Sequence, residues 1–591
     1  MRRRRVGLVA ALALALAFPA AANAGNETWV TPTSMTDPPP GKRLSEQRVL
    51  DVSNATRTVR EMKRKHPAIH PLAYLDTATG NWLVRYVEPH NERIEVDVSD
   101  ATGRVTRIWT GPQVLWGMAR GLPGAFGRKI SAPYVWLPLC LLFLLPFIDP
   151  RRPFRLLHLD LLVMLGFGVS HFFFNRASIS ASTPLAYPVM AYLLVRALMI
   201  GFRPRKRPGP LVPLVPIKWL GWGVVFLLGF RIGLNVFDSN VIDVGYAGVL
   251  GADRLQHGMG LYNWSLDWHP NTYGPLTYVA YLPFELIFPN HGTWDDLPAA
   301  HAAAVAFDLL TVAGLYVLGA KMRPGRAGTA FGIALAYAWV AFPYTSYVLE
   351  SNSNDTLTAM LVVWSLVALG SVPGRAALVA LGGAAKFAPW ALAPLMGSGR
   401  GERRGSAWLL YVVVFCAAAT LSILPFTADT GLHKFWDATV GYQADRPSPF
   451  SIWGLHGGLE PLRRVVEVAT IALAILTAAF PRRRNALQVA ALAAAVLLAV
   501  EVCAAHWFYL YIVWFTPPLL AALLGEYGMR SWRMPVAVPE SSASMTTALS
   551  QGSSSDGSKR AGSWVRNLSS ACSLRTPMTP PRAPVMPTSV T

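Results

Sequence analysis

Two aspartates, Asp238 and Asp243, follow directly on an apolar run that ends near residue 236. A carboxylate at that place borders both water and lipid, the depth at which a lipid-borne substrate presents its reactive headgroup. A carboxylate within reach of a hydroxyl can take its proton as the hydroxyl attacks. Position alone weighs this role evenly against that of ordinary solvated loop acids. The two are five residues apart and would not share a helix face, and the Ser239-Asn240 step between them reads as a turn.

Cations that could act on a negative group are scarce within the apolar runs. Lys386 stands in mid-run with Pro389 just after it. An ionisable residue inside a span costs about 2.5–3.5 kcal/mol on insertion scales and is a functional hypothesis by default. Its structural alternative is an ion pair with Asp308, also in mid-span. Arg231 lies near the end of its run and would snorkel or pair with Asp238. His506 sits at the end of another run. Glu350, Asn352, Asn354 and Asp355 line a short turn that reads first as solvated. Asp160 and Glu501 are intramembrane acids without an assigned role.

The elements that must position these groups are membrane helices. The chain has 591 residues, 52% of them hydrophobic and only 15% charged, whereas soluble domains carry about 25% charge. The net charge of +20 is not a nucleic-acid footprint, because Lys and Arg cluster at the ends of apolar runs. Spans are expected near 133–148, 157–174, 183–202, 214–236, 299–320, 328–347, 356–372, 406–425, 463–480, 486–504 and 507–524, each approaching the ~20 residues that a crossing needs. Residues 375–396 read as two half-helices that enter and return. Broken backbone is tolerated at that depth only within protein or along a cavity. The clusters Arg151/Arg152/Arg155, Arg203/Arg205/Lys206/Arg207, Lys321/Arg323/Arg326, Arg403/Arg404 and Arg482/Arg483/Arg484 all fall on one side, the cytoplasmic one, if the run Tyr273 to Phe288 does not cross. Residues 237–298 and 426–462 are then the long extracytoplasmic loops. The tail 533–591, rich in Ser, Pro and Thr, reads as cytoplasmic disorder.

Residues 1–24 read as a signal peptide, with Arg2 to Arg5 ahead of an apolar core and an A-x-A site at Ala22-Asn23-Ala24. Residues 25–40 read as a linker. Residues 41–112 read as a small α+β domain, with one helix from Leu44 to Lys65, strands at 81–88, 93–98 and 104–110, and a turn at Asp100 to Gly103. This pattern, ending in "DVSDATGRV", resembles a PepSY domain. Four cysteines, none of them in the 25–112 stretch, form neither a disulfide framework nor a zinc spacing.

The stretch "DVGYAGVLGADRLQHGMGLY", followed by "TYGPLTYVAYLPFELIFP", resembles the first extracytoplasmic loop of GT-C glycosyltransferases. It is most similar to polyprenol-phosphate-mannose-dependent α-(1,2)-mannosyltransferase-like proteins. "GGAAKFAPWALAPL" resembles their broken helix, and "CAAHWFYLYIVWFTPP" their late His-aromatic motif. The resemblance covers roughly residues 214–524. The three spans of 132–212 and the N-terminal domain precede the usual core, and Gly274 stands where the family's Tyr-Pro-Pro has its first Pro.

The fold implied is mainly α, a polytopic transmembrane bundle with a small extracytoplasmic α+β domain. The reaction implied is inverting transfer of a sugar, mannose by this likeness, from a polyprenyl phosphate to a glycan or glycolipid acceptor at the membrane. By correspondence with the family's loop acid, Asp243 is the expected base and Asp238 the second choice. Lys386, His506 and Arg231 are the candidates for the departing phosphate, which needs positive charge as its own grows. Tyr262, Tyr273, Asp355 and Arg446 are candidate substrate contacts. Trp264, Trp268, Trp436 and Trp453 could stack on sugars, although Trp is enriched at membrane interfaces anyway. No cofactor or metal is called for, and no P-loop or dinucleotide fingerprint is present. The competing classes are a transporter or flippase of a lipid-linked substrate and a non-catalytic scaffold.

Overall fold

A computed structural model describes residues 29–76, 79–88, 91–121, 128–205, 209–211, 215–264, 270–291, 297–401, 405–446 and 448–529. The expected signal peptide, the C-terminal tail, Trp268, Lys206, Arg207, Arg403 and Arg404 lie outside the described residues.

The N-terminal domain is an antiparallel meander of β1 (Trp29–Val30), β2 (His70–Asp76), β3 (Trp82–Glu88), β4 (Asn91–Val98) and β5 (Val105–Thr110), with sheet order following chain order. Two helices, α1 (Glu46–Asn54) and α2 (Arg57–Lys65), stand where the periodicity predicts one. Thr56 accepts from the Val59 N–H and starts α2 anew. One face of the sheet buries Trp82, Val84, Tyr86, Ile94, Val96 and Val98 against Val49, Leu50 and Val59. The expected turn is present, with Gly103 at φ +65, and Asp100 accepts from the Arg43 and Leu44 N–H groups and from the Trp82 indole. Trp29 and Val30, read as linker, pair with β2.

The rest is helical: α3 (Pro133–Leu144), α4 (Leu156–Leu165), α5 (Phe167–Phe174), α6 (Ile179–Phe202), α7 (Ile217–Asp238), α8 (Asp243–Gln256), α9 (Pro275–Glu285), α10 (Pro298–Met322), α11 (Gly325–Ala341), α12 (Pro343–Glu350), α13 (Asp355–Val367), α14 (Val372–Ala385), α15 (Gly405–Ile423), α16 (Glu460–Ala479), α17 (Ala486–Cys503) and α18 (Ile512–Gly525). Among the described residues six helices are long and apolar enough to cross a membrane, or seven with α11 and α12 taken together. Trp219, Trp222 and Phe226 on α7, Leu409 and Val413 on α15 and Val465, Val468 and Ile471 on α16 are exposed. Apolar surface on that scale belongs against lipid. The chain is a polytopic membrane protein.

Several expected spans are shorter or bent. The run 328–347 bends by 59° where α11 meets α12. α13, α14 and α18 have 13, 14 and 14 residues. At 1.5 Å per residue each covers about 20 Å, short of a ~30 Å hydrocarbon core. They are tolerated because they pack against other helices, α13 and α18 beside the deeply buried α17 and α14 between α13 and α15. α9 has 11 residues, too few to cross, as the charge placement required.

The described arginine clusters gather at one end. Arg155 lies over the Tyr527 ring, the Arg205 N–H donates to Glu526, Arg323 donates to the Gly525 carbonyl, and Arg484 donates to the Gly399 carbonyl. Gln488, in the first turn of α17, holds the Gly201 carbonyl at the same end. The other end of α17 carries the segment with His506, about 27 Å away by helix rise.

Candidate active site

At that second end several segments converge. The re-entrant reading of 375–396 fits the backbone. α14 stops at Lys386, a 3-10 turn follows at Ala388–Leu392, and a short helix at Ala393–Ser398 runs back until Gly399 meets the Arg375 guanidinium. Lys386 is therefore carried to the tip of a hairpin. The tip is held by the Ala385 carbonyl, which accepts from the Gly274 N–H and the Thr277 hydroxyl. Gly274 also explains itself here, because a Cβ would lie 2.0 Å from the Ala384 carbonyl oxygen. A proline would add that Cβ and remove the donor.

Lys386 does not pair with Asp308, the structural alternative to its phosphate role; Asp308 pairs with Arg231 instead. Its Nζ lies 2.5 Å from the Asp355 carboxylate. Asp355 opens α13 and is fully buried; it also accepts from the Trp514 indole at 2.8 Å and from the Ser353 hydroxyl. The ammonium further faces the rings of Tyr273, Tyr511 and Trp514 at 5.4–5.7 Å. The 350–355 turn is thus buried rather than solvated, with Glu350, Asn352, Asn354 and Asp355 almost inaccessible. It is knitted to the chain entering α8, since the Asn240 and Ile242 N–H groups donate to the Glu350 and Ser351 carbonyls.

That stitching places Asp243 beside the pair. Asp243 is half-buried at the first turn of α8, where its carboxylate accepts from the Val244 N–H at 2.9 Å. A helix N-terminus favours such a charge. Burial nonetheless raises its carboxyl above the usual range; Arg446, the Val244 N–H and Lys386 pull it back, and Asp355 adds to the rise. A carboxylate so adjusted is a better base near neutrality.

Arg446 closes the site from the 426–462 segment. Its guanidinium lies over Trp116 at 4.6 Å and Tyr442 at 5.5 Å, and its buried Nε has no hydrogen-bond partner among the described residues. His506 sits in the break after α17, with Nδ1 2.8 Å from the Ser448 hydroxyl and its ring stacked on Trp116. Burial, then Arg446 and Lys386, hold its imidazole well below its ordinary pKa, so it is neutral at neutral pH.

Other candidates lie elsewhere. Arg231 is fully buried and bound to Asp308 at 2.9 Å, not to Asp238. Asp238 faces Lys129 at 3.6 Å. Tyr262 is spent on structure, donating to the Tyr273 carbonyl, while the Tyr273 ring faces Lys386. Trp264 carries Arg254 over its face, Trp453 donates to the Val502 carbonyl, and Trp436 is exposed. Asp160 pairs with Arg196, and Glu501 accepts from the Trp507 indole. Sequence reasoning passed over Tyr511, Trp514, Ser448 and Trp116. Trp514 could have been found from the rule that an intramembrane lysine needs buried acceptors and π-faces nearby; Trp116, in a connecting segment, carries no local signal.

The fold and this end together define a polytopic helical membrane protein with buried carboxylates and cations gathered at one end of its bundle. A family model described as GT87, glycosyltransferase family 87, matches residues 271–507, which is less than half of the chain. The matched stretch holds Tyr273, Asp355, Lys386, Arg446 and His506 and begins after Asp243. The match indicates a membrane glycosyltransferase. No curated protein matches the chain.

Proposed function

We propose that the chain transfers a sugar, mannose by its likeness to the GT-C enzymes, from a polyprenyl phosphate to a glycan or glycolipid hydroxyl, in an extracytoplasmic site. The observation that carries this is the placement of the Asp243 carboxylate beside Lys386 and the unpaired Nε of Arg446, at the bundle end away from the arginine clusters. Asp243 accepts the acceptor's proton as its oxygen forms the new bond to the anomeric carbon. The bond from that carbon to the phosphate oxygen breaks in line, so the configuration inverts. The phosphate keeps the bonding electrons, and Arg446 and Lys386 meet its growing charge. His506, neutral, offers a hydrogen bond rather than a charge. The N-terminal domain, which follows the expected signal peptide and lies opposite the arginine clusters, stands on the same extracytoplasmic side.

The test is transfer of labelled sugar from polyprenyl-phosphate mannose by the purified chain, with analysis of the product's anomeric configuration. A retained configuration would contradict a single displacement. Movement of the labelled lipid across vesicles without transfer would favour a flippase.

A further inference from the structure

The N-terminal domain reaches into the candidate site through the segment that follows β5. Residues 112–121 form a strap of one helical turn, Pro112–Leu115, and one 3-10 turn, Gly117–Arg120, with Trp116 at the joint. The strap is fastened at both sides. Arg120 grips Glu95 of β4 through both guanidinium branches, at 2.7 and 2.8 Å, and its Nε donates to the Gln113 carbonyl. The Gln113 amide donates to the Ala177 carbonyl between α5 and α6. Gly121, at φ +72, sits where a Cβ would lie 2.6 Å from the Asn175 carbonyl oxygen.

This double fastening presents the Trp116 ring to the site. It stacks on His506 at 5.5 Å with 26° between planes, meets Phe450 edge-on at 5.4 Å, and lies under the Arg446 guanidinium at 4.6 Å. A guanidinium lying over an aromatic ring keeps its in-plane N–H groups available for an oxyanion. The unpartnered Nε of Arg446 is such a group, and it is buried. Among the described residues of the N-terminal module, Trp116 is the side chain seen in contact with Arg446 and His506.

We propose that Trp116 is a positioning residue for recognition of the donor phosphate: it aims Arg446, and the strap makes that aim depend on the grip of Arg120 on Glu95. This rests on the transferase reading above and adds to it a task for the N-terminal module. The sheet domain is then part of the transfer apparatus, and its hold on the strap sets affinity for the polyprenyl phosphate group.

The experiment uses the full chain in lipid nanodiscs. It measures kcat and KM for polyprenyl-phosphate mannose and inhibition by polyprenyl phosphate. Trp116→Leu is expected to raise the donor KM and the inhibition constant together, by about 3- to 30-fold, with Trp116→Phe recovering most of the loss. Trp116→Leu added to Arg446→Gln is expected to cost nothing further. Glu95→Gln, remote from the site, is expected to shift both constants in the same direction by a smaller factor, and it carries the test if Trp116→Leu does not fold. Unchanged constants in Trp116→Leu or, failing that, in Glu95→Gln would overturn the proposal, as would a full additional loss in the double variant. A wild-type chain that transfers no sugar would instead overturn the transferase reading on which it rests.

Discussion

Two of the buried charge clusters among the described residues are built from the same kinds of residue and lie at opposite ends of the bundle. At the arginine-rich end, Arg196 binds Asp160 through Nε and Nη2 at 2.7 and 2.9 Å and reaches Glu526 at 3.3 Å, while Tyr192 donates to the same aspartate. At the other end, Lys386 has Asp355, but Arg446 Nε has no hydrogen-bond partner among the described residues, and Asp243 accepts from the Val244 N–H at its helix terminus with Arg446 and Lys386 nearby. Buried polar groups are normally satisfied, and breaking a buried pair is costly. A closed network spends its charges on locking helices together. An open one holds charge in reserve for something not yet bound. The Arg196 network and the Arg446–Asp243 groups therefore differ in how fully these particular side chains are hydrogen-bonded rather than in composition.

The sharpest way to break the contrast is Arg196→Met, which strands Asp160. It should lower stability by about 3–5 kcal/mol, read as thermal unfolding in detergent. Transfer per folded molecule should be unchanged; a fall in kcat of the folded fraction would mean that the closed network also serves chemistry. Arg446→Gln should do the reverse. Unfolding should barely move, because its Nε makes no hydrogen bond among the described residues, while kcat/KM falls by about 10²–10³-fold, the loss seen when one preorganised donor to a developing oxyanion is removed.

A subtler effect concerns pH. Asp243 must be ionised to act as base, so transfer falls as pH drops through its pKa. Burial raises that pKa, placing the acid limb of kcat/KM above the usual carboxylate range. Arg446 is the largest influence in the opposite direction, so Arg446→Gln should move the limb to higher pH. A limb that stays in place would assign it to another group. The smallest effect is expected at the surface. Arg57 and Glu61 pair at 2.6 Å on the solvent-facing side of α2, and Glu61→Ala should change neither unfolding nor transfer measurably.

Much of this was legible in the sequence, and the gaps have physical causes. Clustered arginines and apolar runs located the long helices, because each span must satisfy its own backbone. Lys386 and Pro389 marked the hairpin for the same reason. The short helices α13 and α18 looked like ordinary spans, since apolar content does not reveal where a helix stops. The partner of Lys386 was misjudged because Asp308 lies inside an apolar run, whereas Asp355 opens one and looks solvated; only the packing of α13 against α14 and α18 buries it. β2 escaped notice because Pro71 interrupts its pattern, which an edge position tolerates: β1 pairs only with Leu75 and Asp76 and leaves that stretch open. Trp116 could not be found at all, because its contacts with Arg446 and His506 arise from a strap fastened to both β4 and the α5–α6 connection.

The central claim is that Asp243 is the base of a sugar transfer. Purified wild-type and Asp243→Asn chains, matched in thermal unfolding, should be compared in single-turnover transfer from polyprenyl-phosphate mannose. The account predicts a rate lower by about 10²–10⁴-fold in the variant, with the acid limb gone from what remains. An equal rate in the two chains would contradict it.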